Sequence, residues 1–373
     1  MAYVLAINPG STSTKVALFC DETAVFRVSI DHTPEELSQF NTLEQQKPFR
    51  TQKVMELLKQ YRIEPAQIDA FVGRGGGQET MEGGTYNINE LMYEHARICY
   101  RAKHPAVLGS QIAADLAKQA GKPSFVVNPP IVDEFIPEAR ITGVKGIYRR
   151  SHVHALNQKE IAIRYAASCA RAYEEMNLIV AHLGGGISVT AHRKGRMIDS
   201  NDCLGSSGAF APTRCGSVPA LDWMKCITSG EYSLNEIHDL VTKNGGLVSH
   251  LGTSDVRVVR ERIAQGDGYA KVVLDAMVLQ IEKEIGAMSA VLKGRVDAIV
   301  LTGGISHDKE LTGQIRSDMG YLAPVVVCPG EFEMEAMASG ALRVLRGQEQ
   351  AKEYTGQPVW DPALFEQQCS AVE

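Results

Sequence analysis

One short unit, strand–turn–strand–turn–strand, occurs twice in this chain, about 175 residues apart. A duplicated unit of that kind points to two similar α/β domains. The first copy has apolar runs at residues 3–7, 15–19 and 24–30, joined by NPGSTS and CDE. The second has runs at 178–182, 187–192 and 196–199, joined by LGGG and RKG. Apolar runs bounded by tight turn residues read as consecutive antiparallel strands. Helical patterns at 51–61, 88–101 and 105–120 and strands at 68–72 and 124–127 follow the first copy. A helical pattern at 154–173, with Ile161, Tyr165 and Cys169 four apart, precedes the second. Helices at 219–228, 233–242, 255–264 and 267–292 follow it, then a buried strand at 296–301. Val273, Met277, Ile281 and Ile285 form a stripe in the longest helix, which is the signature of core packing. The alternation is α/β. With 373 residues, two domains are expected: 1–150, with a C-terminal helix in 335–373 packing back on it, and 151–334.

Composition removes several function classes. A net charge of -6 without a long basic run argues against nucleic acid as a partner. No apolar run reaches membrane length, and the N-terminus lacks the pattern of a secretory signal, so a cytoplasmic protein is expected. Eight scattered cysteines form no C-x-x-C pair, which leaves zinc and redox motifs unsupported and predicts reduced, buried thiols.

Three turns, NPGSTSTK, HLGGGIS and LTGGIS, each follow an apolar strand. Glycine permits close backbone approach to a ligand, and hydroxyls with exposed N–H groups suit phosphate oxygens. A single such turn reads equally well as a tight hairpin. Three of them, two in repeated units, favour phosphate binding. Neither G-x-x-x-x-G-K-[ST] nor a complete G-x-G-x-x-G after a strand is present.

The motifs NPGSTSTK, VHALNQK, AHLGGGISV and CPGEFEMEAM, in that order, resemble the butyrate kinase family, within the acetate kinase group of carboxylate kinases. The duplicated units resemble the wider superfamily of acetate and sugar kinases, heat-shock chaperone ATPases and actin. The resemblance spans nearly the whole chain. It implies duplicated actin-like (ribonuclease H-like) domains with an interdomain cleft, the second domain binding nucleotide. It further implies ATP-dependent phosphorylation of a short-chain fatty acid, butyrate or a branched relative, to acyl phosphate and ADP, reversible toward ATP. ATP/ADP and Mg2+ would be the cofactors. A phosphotransacylase would take the acyl phosphate, and the assembly would be a homodimer or larger.

Position 8 supports this on chemical grounds. Actin, chaperones and sugar kinases usually carry Asp in the first phosphate turn, where this chain has Asn8. A carboxylic acid with a pKa of roughly 4–5 is already an anionic nucleophile at pH 7 and needs no general base. A neutral amide donor suits it, and another carboxylate would repel it.

By the resemblance, Arg74 in FVGRGGG would hold the substrate carboxylate or the transferring phosphoryl group, and Arg214 in FAPTRCGS is the second essential arginine. Arginine grips oxygens in a bidentate manner, which lysine does less well. His154 would contact the phosphoryl group, with His152 close enough in sequence to be confused with it. His104 would orient the substrate, and His182 ends the strand that enters the glycine turn. Ser11, Ser13 and Lys15 would line the first phosphate turn, although Lys15 also reads as a surface lysine. Gly184, Gly185 and Gly186 form the second turn, with Gly185 where acetate kinases have Asn. Gly303 and Gly304 resemble the adenosine-side turn, and Asp255 and Arg257 the residues flanking the nucleotide. Glu331 or Glu333 would serve magnesium through water, and both also read as acids at a helix N-terminus. Asn128 stands where the family has an aspartate; either it keeps a weaker polar role or Asp133 supplies the charge. Two other readings stay open: an actin-like or chaperone-like ATPase, and a binding protein with an impaired site.

Overall fold

Four consecutive residues of β1 (Tyr3–Pro9), Val4 to Ile7, are buried, the pattern of a strand covered on both faces. The computed structural model describes residues 1–205 and 207–370, without the side chains of 368–370. β1 pairs antiparallel with β2 (Ser13–Cys20), and β2 with β3 (Thr23–Asp31). β3 has one buried residue and lies at the sheet edge. On its other side β1 takes β4 (Ala70–Gly73) in parallel. With β5 (Thr85–Asn87) and β6 (Ser124–Val127) the sheet order is β3-β2-β1-β4-β6-β5. Leu5, Ile7, Val16 and Leu18 share one core with Val54 and Leu58 of helix Leu43–Gln60 and with Leu108, Ile112 and Leu116 of helix Val107–Ala120. Side chains alternate along a strand, so Val4, Ala6 and Asn8 face the other way. Helix Glu333–Leu345 packs on β1, β4 and β6 there. These elements belong to unit 1, Met1–Asp133 with Phe332–Glu373.

Unit 2 is Glu134–Glu331. Its strands are β7 (Asn177–Leu183), β8 (Ile187–Arg193), β9 (Arg196–Ser200), β10 (Ala298–Thr302) and β11 (Val325–Val327), in the order β11-β10-β7-β8-β9. β7, β8 and β9 are antiparallel, while β10 and β11 run parallel to β7. This repeats β6-β4-β1-β2-β3 strand for strand, so the duplication extends beyond the three strands legible in the sequence. The stripe Val273, Met277, Ile281 and Ile285 of helix Gly268–Val291 lies in one core with Ile179, Leu183 and Val189. Among the described residues no helix is long and apolar enough to cross a membrane.

Several boundaries differ from the sequence expectation. Helix Leu43–Gln60 starts well before residue 51, because Thr42 and Gln45 form a reciprocal capping box and Pro48 is accommodated near the start of the helix. The helix expected over 154–173 stops at Ser168, where Ala170 turns to φ 53°. Helix Lys309–Met319 and β11 were not anticipated. The expected buried thiols are a correction: the described cysteine side chains are free, but Cys169 is exposed and the others are only partly covered, since most sit at strand ends, caps or loops. Cys369 lies outside the described side chains.

One core acid gives a testable consequence. Glu282 is 8% exposed, with Oε1 buried and unpartnered among the described residues. Burial, then the neighbouring Asp318 carboxylate, push its carboxyl from 4.5 up to about 7. The unfolded chain loses this proton first, so between those values the folded state binds more protons and stability falls as pH rises. Glu282→Gln is expected to raise stability at about pH 8 by roughly 2 kcal/mol and to leave it unchanged at about pH 4. Thermal unfolding at both pH values checks this; an equal shift at both would contradict it.

Candidate active site

The NPGSTS turn connects β1 to β2 and is closed by Gly10 N donating to Ser13 O at 2.7 Å. Ser11 and Thr12 are exposed at its tip, and Ser13 is half-buried. Lys15 is exposed and pairs in register with Asn8, which puts both on one sheet face. Beneath the turn lies a residue the sequence did not reveal. Arg50 is fully buried, and its Nη1 donates to Ser13 O and Thr14 Oγ1, both at 3.0 Å. None of the described carboxylates pairs with it, so its charge stands uncompensated under the turn. Arg50 occupies the turn's carbonyl side, and a cation there favours an anion above.

Asn8 and Arg74 meet one carboxylate. Asn8 Nδ2 donates to Glu333 Oε2 at 3.0 Å, and Arg74 Nη2 lies 3.5 Å from Glu333 Oε1. Arg74 follows β4 directly, its backbone N–H bonded to Ile7 O at 2.9 Å. This is the carboxyl end of parallel strands, where open α/β sheets bind ligands. Arg74 Nη1 is buried and has no partner among the described residues. Desolvation and then the Arg74 charge hold His104 below the usual histidine range. His104 Nδ1 accepts from Ala106 N at 3.2 Å, so the ring's remaining nitrogen is available for a donor role. Asn128 is turned to a different task. At φ 38° it exchanges bonds with Gly84, through its own N–H at 3.0 Å and its Oδ1 at 2.8 Å. Asp133 is buried and accepts the indole N–H of Trp360 at 2.8 Å.

In unit 2 the second turn brings together most of the remaining candidates. His182, the penultimate residue of β7, stacks on His154, with ring centroids 3.9 Å apart and planes 13° from parallel. His154 is the N-cap residue of helix Ala155–Ser168. His152, by contrast, faces Asp202 at 3.1 Å. Gly184 leaves a passage that a side chain would close, because a Cβ there would lie 3.1 Å from His182 Nε2 and 3.6 Å from Glu331 Oε1. A Cβ on Gly186 would stand 3.6 Å from His154 Cε1. Thr213 ties the Arg214 loop to the turn, its Oγ1 donating to Gly185 O at 2.9 Å. Arg214 Nη1 donates to Thr213 Oγ1, and its Nε is buried without a partner among the described residues.

Beside this turn opens a cavity of about 1050 Å³, and Gly184, Gly185, Asp255, Arg257, Gly304 and Glu331 all line it. Gly303 sits behind its wall at φ 92°, where a Cβ would lie 2.4 Å from Leu183 O. It exchanges backbone bonds with Gly330 at 3.0 and 3.1 Å, which clips the two strand ends together. Asp255 caps helix Val256–Ala264 and takes Arg257 Nη2 at 2.6 Å. That contact holds its carboxyl down at about 2. Arg260, Asp308 and Lys309 complete a charged rim that the sequence reading missed. Arg260 and Lys309 lie in helices with no motif of their own, and Asp308 caps the second of these.

Magnesium usually takes one or two carboxylates and completes its shell with waters and phosphate oxygens. Glu331 fits that habit: its side chain is 51% exposed on the cavity wall, 3.9 Å from His182 Nε2. Glu333 is already engaged by Asn8 and Arg74.

A family model for the acetokinase family matches residues 139–319. Butyrate kinase 1 of Clostridium acetobutylicum is 42% identical over 354 residues, 95% of this chain and 100% of that protein. A probable butyrate kinase of Phocaeicola vulgatus is 44% identical over 345 residues, 92% of this chain and 97% of its own length. Among solved structures, Porphyromonas gingivalis acetate kinase superposes with a TM-score of 0.75 at 18% identity, covering 92% of this chain and 100% of its own, which is a likeness of fold. The duplicated actin-like architecture is thereby common to this chain and a carboxylate kinase. With near-complete coverage at such identity, the chain belongs to the acetokinase family, and butyrate kinases are its close homologues.

Proposed function

We propose that this protein transfers the terminal phosphoryl group of ATP to a short-chain carboxylate, butyrate or a branched relative, giving acyl phosphate and ADP, and runs in reverse toward ATP. One observation carries the reading: Arg74 and Arg214 each keep a buried guanidinium nitrogen with no partner among the described residues. A buried cationic donor left unpaired is costly, and an anionic ligand removes that cost. The position next to Arg74 that could hold a proton-removing carboxylate holds the amide of Asn8 instead.

Unit 2 serves the nucleotide, with Asp255, Arg257 and Gly304 around the adenosine side and the Gly184–Gly186 backbone at the phosphates. Arg74 and His104 of unit 1 serve the carboxylate. A carboxylate oxygen forms a bond to the γ-phosphorus while the bond to the β-phosphate oxygen breaks. ADP leaves with the electron pair, and no proton has to move. Arg74, Arg214, Asn8 and His154 neutralise and position the oxygens, which is most of what phosphoryl transfer asks of a protein. Magnesium, held by Glu331 through water, would shield the phosphate charge.

The product is a mixed anhydride suited to a phosphotransacylase. Leu221, Met224, Ile227 and Leu234, exposed on helices Ala220–Ser229 and Leu234–Thr242, support a homodimer. Hydroxylamine trapping of acyl phosphate from ATP with acetate, propionate, butyrate or isobutyrate tests the activity. The largest kcat/KM is expected with butyrate or isobutyrate. ATP hydrolysis indifferent to every acid would instead favour the ATPase reading.

A further inference from the structure

His154 stands at the end of a buried line of polar side chains whose donor directions can be assigned one after another. Gln158, on the same helix, is fully buried. Its Nε2 lies 3.1 Å from the backbone carbonyl of Ser188. A carbonyl only accepts, so the NH2 end of the amide faces Ser188 and Oε1 points the other way along β8, toward His192. Oε1 lies 2.9 Å from His192 Nε2, which must therefore carry a proton. His192 Nδ1 is then a lone pair and accepts the Tyr173 hydroxyl at 2.7 Å. Burial pushes the His192 pKa well below its ordinary value and that of Tyr173 well above, so both are neutral.

The other end of the line runs to the catalytic histidine. Gln158 Nε2 also donates to Ser188 Oγ at 2.7 Å, and Ser188 Oγ is 2.8 Å from His154 Nδ1. Ser188 is 0% exposed. Having accepted from Gln158, its hydroxyl has one proton to give, and among the described residues His154 Nδ1 is the acceptor in place. Were His154 the donor, the hydroxyl proton would be stranded in a dry interior, at the full desolvation cost of the group. The stacked ring of His182 fixes the plane in which the His154 ring lies.

We propose that Gln158 and Ser188 are positioning residues that hold His154 in the tautomer with its proton on Nε2, so that this nitrogen is a ready hydrogen-bond donor to the phosphoryl group in transit. His192 and Tyr173 support the arrangement from behind Gln158. The identity of the anion rests on the carboxylate kinase reading; the tautomer does not.

The test is a long-range proton–nitrogen correlation spectrum of the full-length protein labelled with 15N, with His154 assigned by its loss in His154→Asn. The resting enzyme is expected to show a protonated Nε2 and a lone-pair Nδ1 for His154. Ser188→Ala should blend the two signatures and lower kcat on the order of tenfold, with KM for ATP and for the acid nearly unchanged. Ser188→Thr, which keeps the hydroxyl, should restore the wild-type signature. A wild-type His154 protonated on Nδ1 overturns the proposal without any variant. So does Ser188→Ala with both tautomer and kcat intact. A correct tautomer in a protein inactive toward every acid would instead remove the carboxylate kinase reading and leave this assignment standing.

Discussion

Arg214→Ala is expected to lower kcat by roughly 10³-fold while the protein keeps its melting temperature. The loop that carries Arg214 does not depend on the guanidinium for its position. Ala211 N donates to Arg214 O at 3.0 Å, and Thr213 bonds Gly185 O through its hydroxyl at 2.9 Å and its N–H at 3.3 Å. Among the described residues the side chain bonds Thr213 Oγ1 and keeps its Nε unpartnered. A group held rigidly yet left unsatisfied is poised for a ligand, so its loss falls on the reaction. Lysine at 214 returns a charge but not the planar fork and should recover little of the loss. Steady-state kinetics with ATP and butyrate, read beside thermal unfolding, check this. A variant whose kcat stays within about threefold of wild type would remove Arg214 from the machinery.

Asn8→Asp is expected to lower kcat/KM for butyrate by roughly 10²-fold near pH 8, with partial recovery near pH 6. The substitution is nearly isosteric, and it replaces a donor with a charge facing Glu333, whose Oε2 lies 3.0 Å from the Asn8 amide nitrogen. Two like charges at such a distance raise the pKa of the pair, so a shared proton is taken up as the pH falls and the repulsion is relieved. Arg74, which also faces Glu333, would be drawn toward the added charge and away from substrate. Asn8→Ala removes the amide without adding charge and should be milder. If Asp proves no worse than Ala at any pH, the amide is not there to avoid a carboxylate.

What could be read in the sequence was what local chemistry announces. The two three-stranded units, the long apolar stripe and the glycine turns are each set by residues close in the chain. Asp255, Arg257, Gly304 and Glu331, named from separate motifs, line one cavity with Gly184 and Gly185. Arg50 escaped notice because a buried arginine in an amphipathic helix has the same local pattern as a solvated one; only the turn above it gives it meaning. The directions of the bonds among Gln158, Ser188 and His192 exist only once β8 lies beside the helix that carries Gln158. Glu331 and Glu333 looked interchangeable, yet one lines the cavity of unit 2 and the other belongs to unit 1 with Asn8 and Arg74. Asn128 looked like a weakened metal ligand, and the backbone supplies a different reason for it. A residue at φ 38° that must also accept from Gly84 suits asparagine.

Unit 1 takes its sheet from the start of the chain and helix Glu333–Leu345 from far downstream, with all of unit 2 encoded in between. A ribosome therefore delivers the whole of residues 134–331 before the helix that covers Val4, Ala6 and Asn8. Unit 2 can close its core during synthesis, whereas the amide of Asn8 must wait for Glu333, which follows all of unit 2. Polypeptides abandoned before that point would hold Asn8 and Arg74 without the carboxylate that both of them face, so a stalled ribosome leaves that corner of unit 1 unbraced.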